Sequence, residues 1–345
     1  MKFQFISKYN IRNGSDRIWV RDYGEHLTQI GHQVGVKEHP TQDDVDYVIF
    51  GKGSFNSKKA KIAKELNPRA LLGWINPTMD TGIALKTEKK RVNDLDFFIV
   101  GSIEERESLL PYKNNVFILP LVETMFKRDK VHSSKEKITL GYHGNAHHLE
   151  EFFPHVTEAI EKLSEEVSLK MIAIHTPVAD WEWIKGKPNI ELEQIDWNLE
   201  TVEENLLQCD IGLVPGITPV DENIQNQVFK KTKSIQKNDF IGYDTDYLLR
   251  FKNKSNAGRS FVFHQLNIPV VAAFMPSHFH ILGNPESGYL AHSKEGWYSG
   301  LRDLALCHKK RERMAKSAKV EFNRLYDPMD WLNQMLFNLN HLNNQ

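Results

Sequence analysis

Short apolar runs and longer amphipathic stretches alternate along almost the whole chain. The apolar runs predict strands, and the stretches with apolar residues every three or four positions predict helices. Such alternation is typical of a parallel sheet covered by helices. The first predicted helix covers residues 16–30 and ends at Gly31. The predicted strands of the first part are Phe3–Ile6, Gln33–Val36, Tyr47–Phe50, Leu71–Ile75, Phe97–Val100 and Val116–Leu119.

The pattern stops at residues 125–136, MFKRDKVHSSKE, which are polar, charged and without periodicity. It then restarts with strands predicted at 138–142, 169–174, 190–195 and 211–214, and with a helix at 148–166. A restart after a linker predicts two Rossmann-like domains rather than one long sheet. We expect one domain at residues 1–125 and a second at 136–325. A last amphipathic helix lies within 326–345.

Composition narrows the class of protein. The 345 residues suffice for two α/β domains, and a net charge of −1 from 44 basic and 45 acidic residues provides no global field to attract nucleic acid. The start, MKFQFISKYN, lacks the apolar core of a signal peptide, and no apolar run approaches the ~20 residues of a membrane span. Cys209 and Cys307 are far apart and form no metal or redox motif. We therefore expect a reduced, cytoplasmic protein.

Residues 254–273, KSNAGRSFVFHQLNIPVVAA, contain the strongest chemical signal. A cluster of cations and small polar residues precedes an apolar helical face and a β-rich run. A helix N-terminus of this composition offers unpaired N–H groups, the positive end of the helix dipole and a guanidinium, which together suit a diphosphate. His264 and Gln265, further along the helix, are candidates for a ribose contact. The predicted diphosphate residues are Lys254, Ser255, Asn256, Gly258, Arg259 and Ser260.

Two further loops follow predicted strands, where open α/β sheets bind ligands. In the loop YNIRNGSDR, Gly14 and Ser15 form a tight turn before a helix, and Arg17 follows the turn. The N-terminus of that helix either binds an anion or makes only ordinary capping hydrogen bonds. The loop is not GxGxxG, so a dehydrogenase is disfavoured.

In the second loop, GYHGNAHH, Gly144 and Asn145 allow close backbone approach. His143 either contacts a phosphate, shuttles a proton, or is a structural histidine. No Asp, Glu or Cys is locally spaced to complete a metal site with its three histidines.

Other patterns are weaker. Asp94-Leu-Asp96 and Asp244-Thr-Asp246 match a DxD metal-binding pattern, but matches of three residues are common by chance. The run HKKRERMAK at 308–316 predicts a basic helix face, turned either to solvent or to an anionic membrane.

Taken together, the chain resembles the GT-B glycosyltransferases of the group-1 or family-4 type. The resemblance rests on the order of four segments and on the tail GYLAHSKEGWYSGLRDLA with its final helix. The first two segments correspond to the family's opening loop with its first helix and to the start of its second domain. The other two correspond to the run before its donor-site strand and to its donor-diphosphate segment. In order they are NGSDRIWVRDYGEHLTQIGHQV, ITLGYHGNAHHLEEF, IDWNLETVEENLLQCDIGLVP and KSNAGRSFVFHQLNIPVVAA.

The resemblance implies two Rossmann-like domains facing a cleft, with the last helix crossing back to the first domain. It also implies a nucleotide sugar on the second domain, a glycan, lipid-linked or surface-polysaccharide acceptor on the first, and retention of anomeric configuration. Lys254, Arg259 and the helix N-terminus would neutralise the leaving diphosphate without a metal or other cofactor. His143 and the Gly14–Ser15 loop would complete the pocket. The protein is then cytoplasmic, with contact to the inner membrane face as an option.

One departure from the family pattern leaves alternatives open. Many members carry two glutamates, E-x7-E, before the Pro-Val-Val strand, and the second binds the donor ribose. Counting back from Pro269 places Lys254 and Val262 there. A nucleotide-sugar 2-epimerase shares the architecture but needs several carboxylates near the cleft. A catalytically degenerate binding subunit is the other alternative.

Overall fold

Two six-stranded parallel sheets, one in each half of the chain, form the framework of the protein. The computed structural model describes residues 1–8, 10, 12–77, 85–176, 178–179, 181–218, 250–251 and 256–344. The N-terminal half here means the first sheet with its helices, and the C-terminal half means the second. The predicted α/β architecture is confirmed.

The first sheet has the strand order β2-β1-β3-β4-β5-β6. A π-helical turn at Asp16–Asp22 leads directly into α1, so the predicted helix at 16–30 is confirmed as a continuous helical segment. In chain order the elements are β1 (Lys2–Ile6), α1 (Tyr23–Gln29), β2 (Gln33–Lys37), β3 (Tyr47–Phe50), α2 (Ser57–Leu66), β4 (Leu71–Ile75), α3 (Leu85–Arg91), β5 (Phe97–Val100), α4 (Ile103–Leu109) and β6 (Val116–Ile118).

The second sheet has the order β14-β13-β10-β7-β8-β9, and the short pair β11–β12 is antiparallel. Two 3₁₀ turns, Ala146–Phe152 and Pro276–His278, precede α5 and α8. The elements are β7 (Lys137–His143), α5 (His155–Ser164), β8 (Ser168–His175), β9 (Glu191–Asp196), α6 (Val202–Leu207), β10 (Ile211–Val214), β11 (Ile217–Thr218), β12 (Arg250–Phe251), α7 (Gly258–Gln265), β13 (Val270–Ala273), α8 (Phe279–Leu282), β14 (Tyr289–Ala291), α9 (Lys294–Leu306), α10 (His308–Leu325) and α11 (Pro328–Asn343).

Both faces of each sheet are buried, which explains the nearly continuous apolar runs of the strands. In β3, for example, Tyr47 and Ile49 belong to one core, while Val48 and Phe50 belong to the core on the opposite face. Alternation of this kind follows from the two-residue period of a strand. The helices supply the second layer on each face.

Helix α7 lies unusually close to the second sheet. The Phe263 ring packs on β10 at Gly212, where a Cβ atom would lie 2.6 Å from the ring. That distance leaves no room for any side chain, so glycine is required for the helix to approach this closely. The contact positions the N-terminus of α7 above the carboxyl ends of β7 and β10.

Helix α11 crosses back and packs on the first sheet, as the sequence predicts. Its side chains Leu332, Met335, Leu336 and Leu339 share one buried core with β1, β3 and β5. Each fully buried side chain of this size contributes about 1.5–3 kcal/mol. The C-terminal end of the chain therefore helps to hold the N-terminal sheet.

The connection between the two sheets is anchored to the C-terminal half. The Lys130 ammonium donates to the Leu207 carbonyl at 2.6 Å, and the Lys130 N–H donates to the Leu266 carbonyl at 2.8 Å. His132 Nε2 donates to the Asn267 carbonyl at 2.9 Å. The segment that the sequence identifies as a linker is thus tied along its length.

One predicted helix needs correction. The helix predicted at 148–166 is interrupted, because Pro154 follows a 3₁₀ turn and α5 begins only at His155.

The basic run at 308–316 is mostly turned to solvent, with Lys309, Arg313 and Lys316 exposed. Arg311 departs from this pattern, because it is buried and donates to the carbonyls of Leu304, Ala305 and Ser133. The Lys310 ammonium lies 2.5 Å from Asp303.

Of the two DxD patterns, the first is structural, since Asp96 accepts from the Leu72 N–H at 2.7 Å. The second lies outside the described residues. No helix among the described residues has both the length and the apolar character that crossing a bilayer requires.

A buried carboxylate, Asp210, joins the linker to the second sheet. Its Oδ1 accepts from Lys135 Nζ at 2.7 Å and lies 3.4 Å from Lys130 Nζ, while Oδ2 accepts from the Thr139 N–H at 3.0 Å. Burial acts to raise the pKa of this carboxyl. The Lys135 and Thr139 hydrogen bonds and the nearby charges outweigh burial, so the pKa of Asp210 lies below its ordinary value.

We expect Asp210→Asn to destabilise the protein by about 3 kcal/mol, because two partly buried ammonium groups lose their counter-charge. Urea unfolding measures the change. The wild-type contribution is present above the ordinary carboxyl pKa and is lost as pH falls below it. The control is Glu191→Gln, which removes an exposed ion pair with Lys137 and should change little. Equal midpoints for the two variants would contradict the assignment.

Candidate functional site

A cavity of about 1150 Å³ separates the two halves at the carboxyl ends of their strands. The N-terminal half contributes the loop after β1, and the C-terminal half contributes the loops after β7, β8 and β9 with the start of α7. We call this cavity the donor cleft. Eight of the predicted site residues line it: Gly14, Arg17, His143, Gly144, Asn145, Asn256, Gly258 and Arg259.

The N-terminus of α7 faces this cleft with part of its backbone unpaired. Asn256 Oδ1 accepts from the Gly258 N–H at 3.1 Å, and the Phe261 N–H donates to the Ala257 carbonyl. No described residue accepts from the N–H groups of Arg259 or Ser260. Free N–H groups and the helix dipole favour an anion at this position.

Arg259 is held at the base of the cleft but keeps hydrogen-bonding capacity. Its Nη2 donates to the Pro215 carbonyl at 2.8 Å and lies 3.5 Å from a Glu151 carboxylate oxygen. Its Nη1 has no partner among the described residues. Burial lowers the pKa of Arg259, yet an arginine stays protonated at neutral pH. A fixed cation with one unused donor group suits a phosphate oxygen.

Gly144 makes room for this arginine. Its φ of +137° is a conformation that side chains other than hydrogen rarely allow, and a Cβ atom there would lie 3.0 Å from Arg259 Cδ. Gly144 therefore allows the Arg259 side chain to lie close to the backbone of the second loop. The Arg259 guanidinium also lies 5.8 Å from the Tyr142 ring.

His143 is a neutral hydrogen-bond acceptor toward the cleft. Its Nε2 lies 3.0 Å from the Arg259 carbonyl, which can only accept, so Nε2 holds the proton. Burial lowers the pKa of His143 to about 4. The neutral ring then presents the lone pair of Nδ1. This arrangement favours contact with a hydroxyl group over contact with a phosphate.

Arg17 is buried in the wall of the cleft, and its guanidinium contacts protein residues from both halves. Its Nε donates to Glu123 Oε2 at 2.9 Å and its Nη2 donates to the other carboxylate oxygen. The guanidinium carbon lies 4.7 Å from the centre of the Trp197 ring in the C-terminal half. Burial raises the pKa of Glu123 against the lowering effect of Arg17. Arg17 thus bridges the halves.

The remaining predicted residues are placed differently. The Ser15 hydroxyl donates to Asn13 Oδ1 at 2.8 Å, and the Ser260 hydroxyl donates to the Ala257 carbonyl at 2.8 Å. Neither side chain lines the donor cleft. Asn145 lines it and also accepts from the His147 N–H at 3.1 Å. Lys254 and Ser255 lie outside the described residues.

The hypothesis of a ribose contact by His264 or Gln265 is wrong. His264 is fully buried, and the Gln265 amide donates to the Glu123 carbonyl at 2.6 Å. Neither lines the cleft. Helical phase turns His264 toward the core and Gln265 toward the segment that follows β6.

Sequence reasoning missed several cleft residues. The loop after β9 lines one end of the cavity, and Glu123 reaches it from the segment that follows β6. The segment IDWNLE gave a usable signal, since polar residues directly follow a predicted strand. Glu123 gave none, because its role depends on a partner 106 positions away. The missed loop residues are Asp196, Trp197, Asn198 and Glu200.

Two parallel α/β halves whose strand ends face each other across a cleft define the GT-B fold, the fold of a large class of glycosyltransferases. Similar solved structures share it. HepE from Anabaena, in complex with UDP and glucose, is 11% identical over 99% of this chain and 100% of its own, with a TM-score of 0.61. Sucrose-phosphate synthase from Thermosynechococcus elongatus is 10% identical over 99% and 98%, with a TM-score of 0.65.

A glycosyltransferase from Rickettsia africae is also 10% identical over 99% and 98% of the two chains, with a TM-score of 0.65. No protein-family model matches the chain, and no curated protein matches it in sequence. The resemblance inferred from the sequence is therefore confirmed at the level of the fold.

We expect His143 to titrate near pH 4, because burial disfavours its cation and the Arg259 carbonyl fixes the neutral ring. Ring chemical shifts in NMR, assigned with His143→Gln, measure this value. Between about pH 6.5 and 4 the unfolded state binds the proton more tightly, so the wild type should lose stability as pH falls. His143→Gln should lack that component. An ordinary pKa near 6.5 would contradict the assignment.

Proposed function

We propose that this protein transfers a glycosyl group from a nucleoside diphosphate sugar to a hydroxyl acceptor. A single observation supports this most strongly. Arg259, whose Nη1 has no partner in the described part of the chain, lies beside α7 N–H groups from which no described residue accepts, in a cleft of about 1150 Å³ between two GT-B halves. The volume suits a ligand of nucleotide-sugar size.

In this proposal the α7 N-terminus and Arg259 bind the diphosphate and stabilise its negative charge as the glycosidic bond breaks. Fixed positive charge where negative charge develops replaces the role of a metal ion, so the proposed reaction is metal-independent. Lys254 belongs to the same group in the proposal. Losing one such contact costs about 3 kcal/mol of barrier.

The other cleft residues bind the sugar and nucleoside. His143 Nδ1 accepts a hydrogen bond from a hydroxyl group of the ligand. At Gly14 and Asn145 the ligand can approach the backbone closely. HepE was solved with UDP and glucose, so UDP is the first nucleotide to test. Val262 lines the cleft where many family members have a ribose-binding glutamate, so the ribose must find other acceptors.

The acceptor and the outcome at the anomeric carbon are part of the proposal. We propose a glycan, lipid-linked or surface-polysaccharide acceptor, retention of configuration, and action in the cytoplasm with peripheral contact at the membrane. The resemblance to family-4 enzymes supports each of these statements. NMR of the freshly formed product distinguishes retention from inversion.

The binding-subunit alternative gains support from Val262, because a cleft that lacks the ribose glutamate binds its donor less firmly. The epimerase alternative requires free carboxylates. Three carboxylates of the described residues line the cleft. Glu123 is held by Arg17, Asp196 accepts from the Val178 N–H at 2.9 Å, and Glu200 is exposed. The held carboxylates favour transfer over epimerisation.

We expect Arg259→Ala to weaken UDP binding and to reduce turnover of UDP-sugars by about a hundredfold, because one fixed cation at the diphosphate is lost. Isothermal titration calorimetry and release of UDP measure the two effects. The matched control is Arg313→Ala, which removes an exposed arginine paired with Glu286 and should leave both unchanged.

Each alternative has a distinct outcome. UDP binding without turnover of any UDP-sugar would indicate the binding subunit, and interconversion of two donors without an acceptor would indicate the epimerase. Equal UDP affinity of wild type and Arg259→Ala would place the donor elsewhere and overturn the proposal.

A further inference from the structure

A second cavity, of about 290 Å³, lies at the junction of the two halves. Ala257 faces this cavity, while its neighbours Asn256 and Gly258 line the donor cleft. The N-terminus of α7 therefore separates the two spaces. We call this second cavity the junction pocket.

The walls of the junction pocket are mainly apolar and aromatic. Phe117 and Pro120 come from the N-terminal half, whereas Phe261, Tyr326 and Trp331 come from the C-terminal half and α11. The Phe261 and Tyr326 rings are 4.2 Å apart, and the Tyr326 and Trp331 rings lie nearly parallel at 6.2 Å. A cavity of about 150 Å³ can hold benzene, so this pocket has room for a ring with a substituent.

The lining of the pocket includes a buried hydroxyl group. Ser277 is only 8% exposed and lines the pocket, and its hydroxyl has no hydrogen-bond partner among the described residues. By contrast, the Tyr326 hydroxyl contacts His280 Nδ1 at 3.0 Å and the Trp331 indole donates to the Leu325 carbonyl. Buried hydroxyl groups normally have a partner, so Ser277 marks a position for a polar atom of a ligand.

The floor of the pocket is also where the two halves meet. The Ser277 N–H donates to Glu104 Oε1 of α4 at 2.8 Å. The next residue of α4, Glu105, lies with its Oε1 3.4 Å from Asn256 Nδ2, just before the start of α7. A molecule in the pocket would contact both halves beside the helix that faces the donor cleft.

We propose that the junction pocket binds a small amphipathic molecule, with an apolar ring against the aromatic wall and a hydroxyl group on Ser277. Its occupancy holds the two halves in their present arrangement and so changes the affinity of the donor cleft for nucleotide. This coupling, unlike the binding itself, rests on the proposed function.

Benzyl alcohol is the probe, with ethylbenzene as a probe of the same shape that lacks the hydroxyl. We expect saturable binding of benzyl alcohol to the wild type, measured by ligand-observed NMR. Ser277→Ala should weaken it about tenfold, as loss of one hydrogen bond does. Ethylbenzene should bind the wild type and Ser277→Ala equally.

A second variant blocks the pocket from an exposed position. Gln334 lies at its rim on α11 and is exposed, so Gln334→Trp should keep the fold and abolish binding of both probes. The matched control is Asn333→Trp, an exposed neighbour that does not line the pocket. No saturable binding to the wild type, or equal binding to Gln334→Trp, would overturn the proposed site.

The coupling is measured by titrating UDP with and without saturating benzyl alcohol. We expect the UDP dissociation constant to change severalfold in the wild type and to stay constant in Gln334→Trp. An unchanged constant in the wild type would overturn the coupling alone. Loss of UDP binding in Arg259→Ala tests the proposed function separately, so the two failures are distinguishable.

Discussion

The packing of Phe263 on the bare backbone of Gly212 is the contact on which the donor cleft depends. It brings α7 against β10 so closely that no side chain fits between them. The same phenylalanine lies 5.0 Å from the His143 ring, which it meets edge-on. His143 in turn bonds the Arg259 carbonyl. The apolar contact beneath α7 thus sets the position of the helix from which the arginine, the histidine and the helix N-terminus make their further bonds.

The cleft also needs a defined relation between the halves, and charged groups provide it at two places. Arg17 contacts both Glu123, in the segment that follows β6, and Trp197, in the loop after β9. On the other side of α7, Glu104 and Glu105 reach Ser277 and Asn256. Burying such groups is costly unless they are paired. When the two halves separate, these polar groups are hydrated again, which offsets part of the cost of opening the cleft. An interface of apolar side chains would resist opening more strongly.

The sequence predicts the strands well because each is an apolar run with buried faces. All six strands of the first sheet match the predicted bounds to within one residue, and Tyr47–Phe50 and Phe97–Val100 match them fully. It predicts the loops of the cleft because strand ends are where ligands bind. It does not predict which side chains turn inward. Ser260 and His264 lie on the buried side of α7, a fact set by the Phe263–Gly212 contact. Glu123 acquires its role only through folding.

An arginine that is to receive an anion must be held without being neutralised. Glu151 lies 3.5 Å from Arg259 but makes a shorter contact, 2.7 Å, with His148. The firmer hold on Arg259 comes from the uncharged Pro215 carbonyl at 2.8 Å. This division orients the guanidinium through Nη2 and leaves Nη1 without a partner among the described residues. A chain with a net charge of −1 can therefore present a cationic site without a cationic surface.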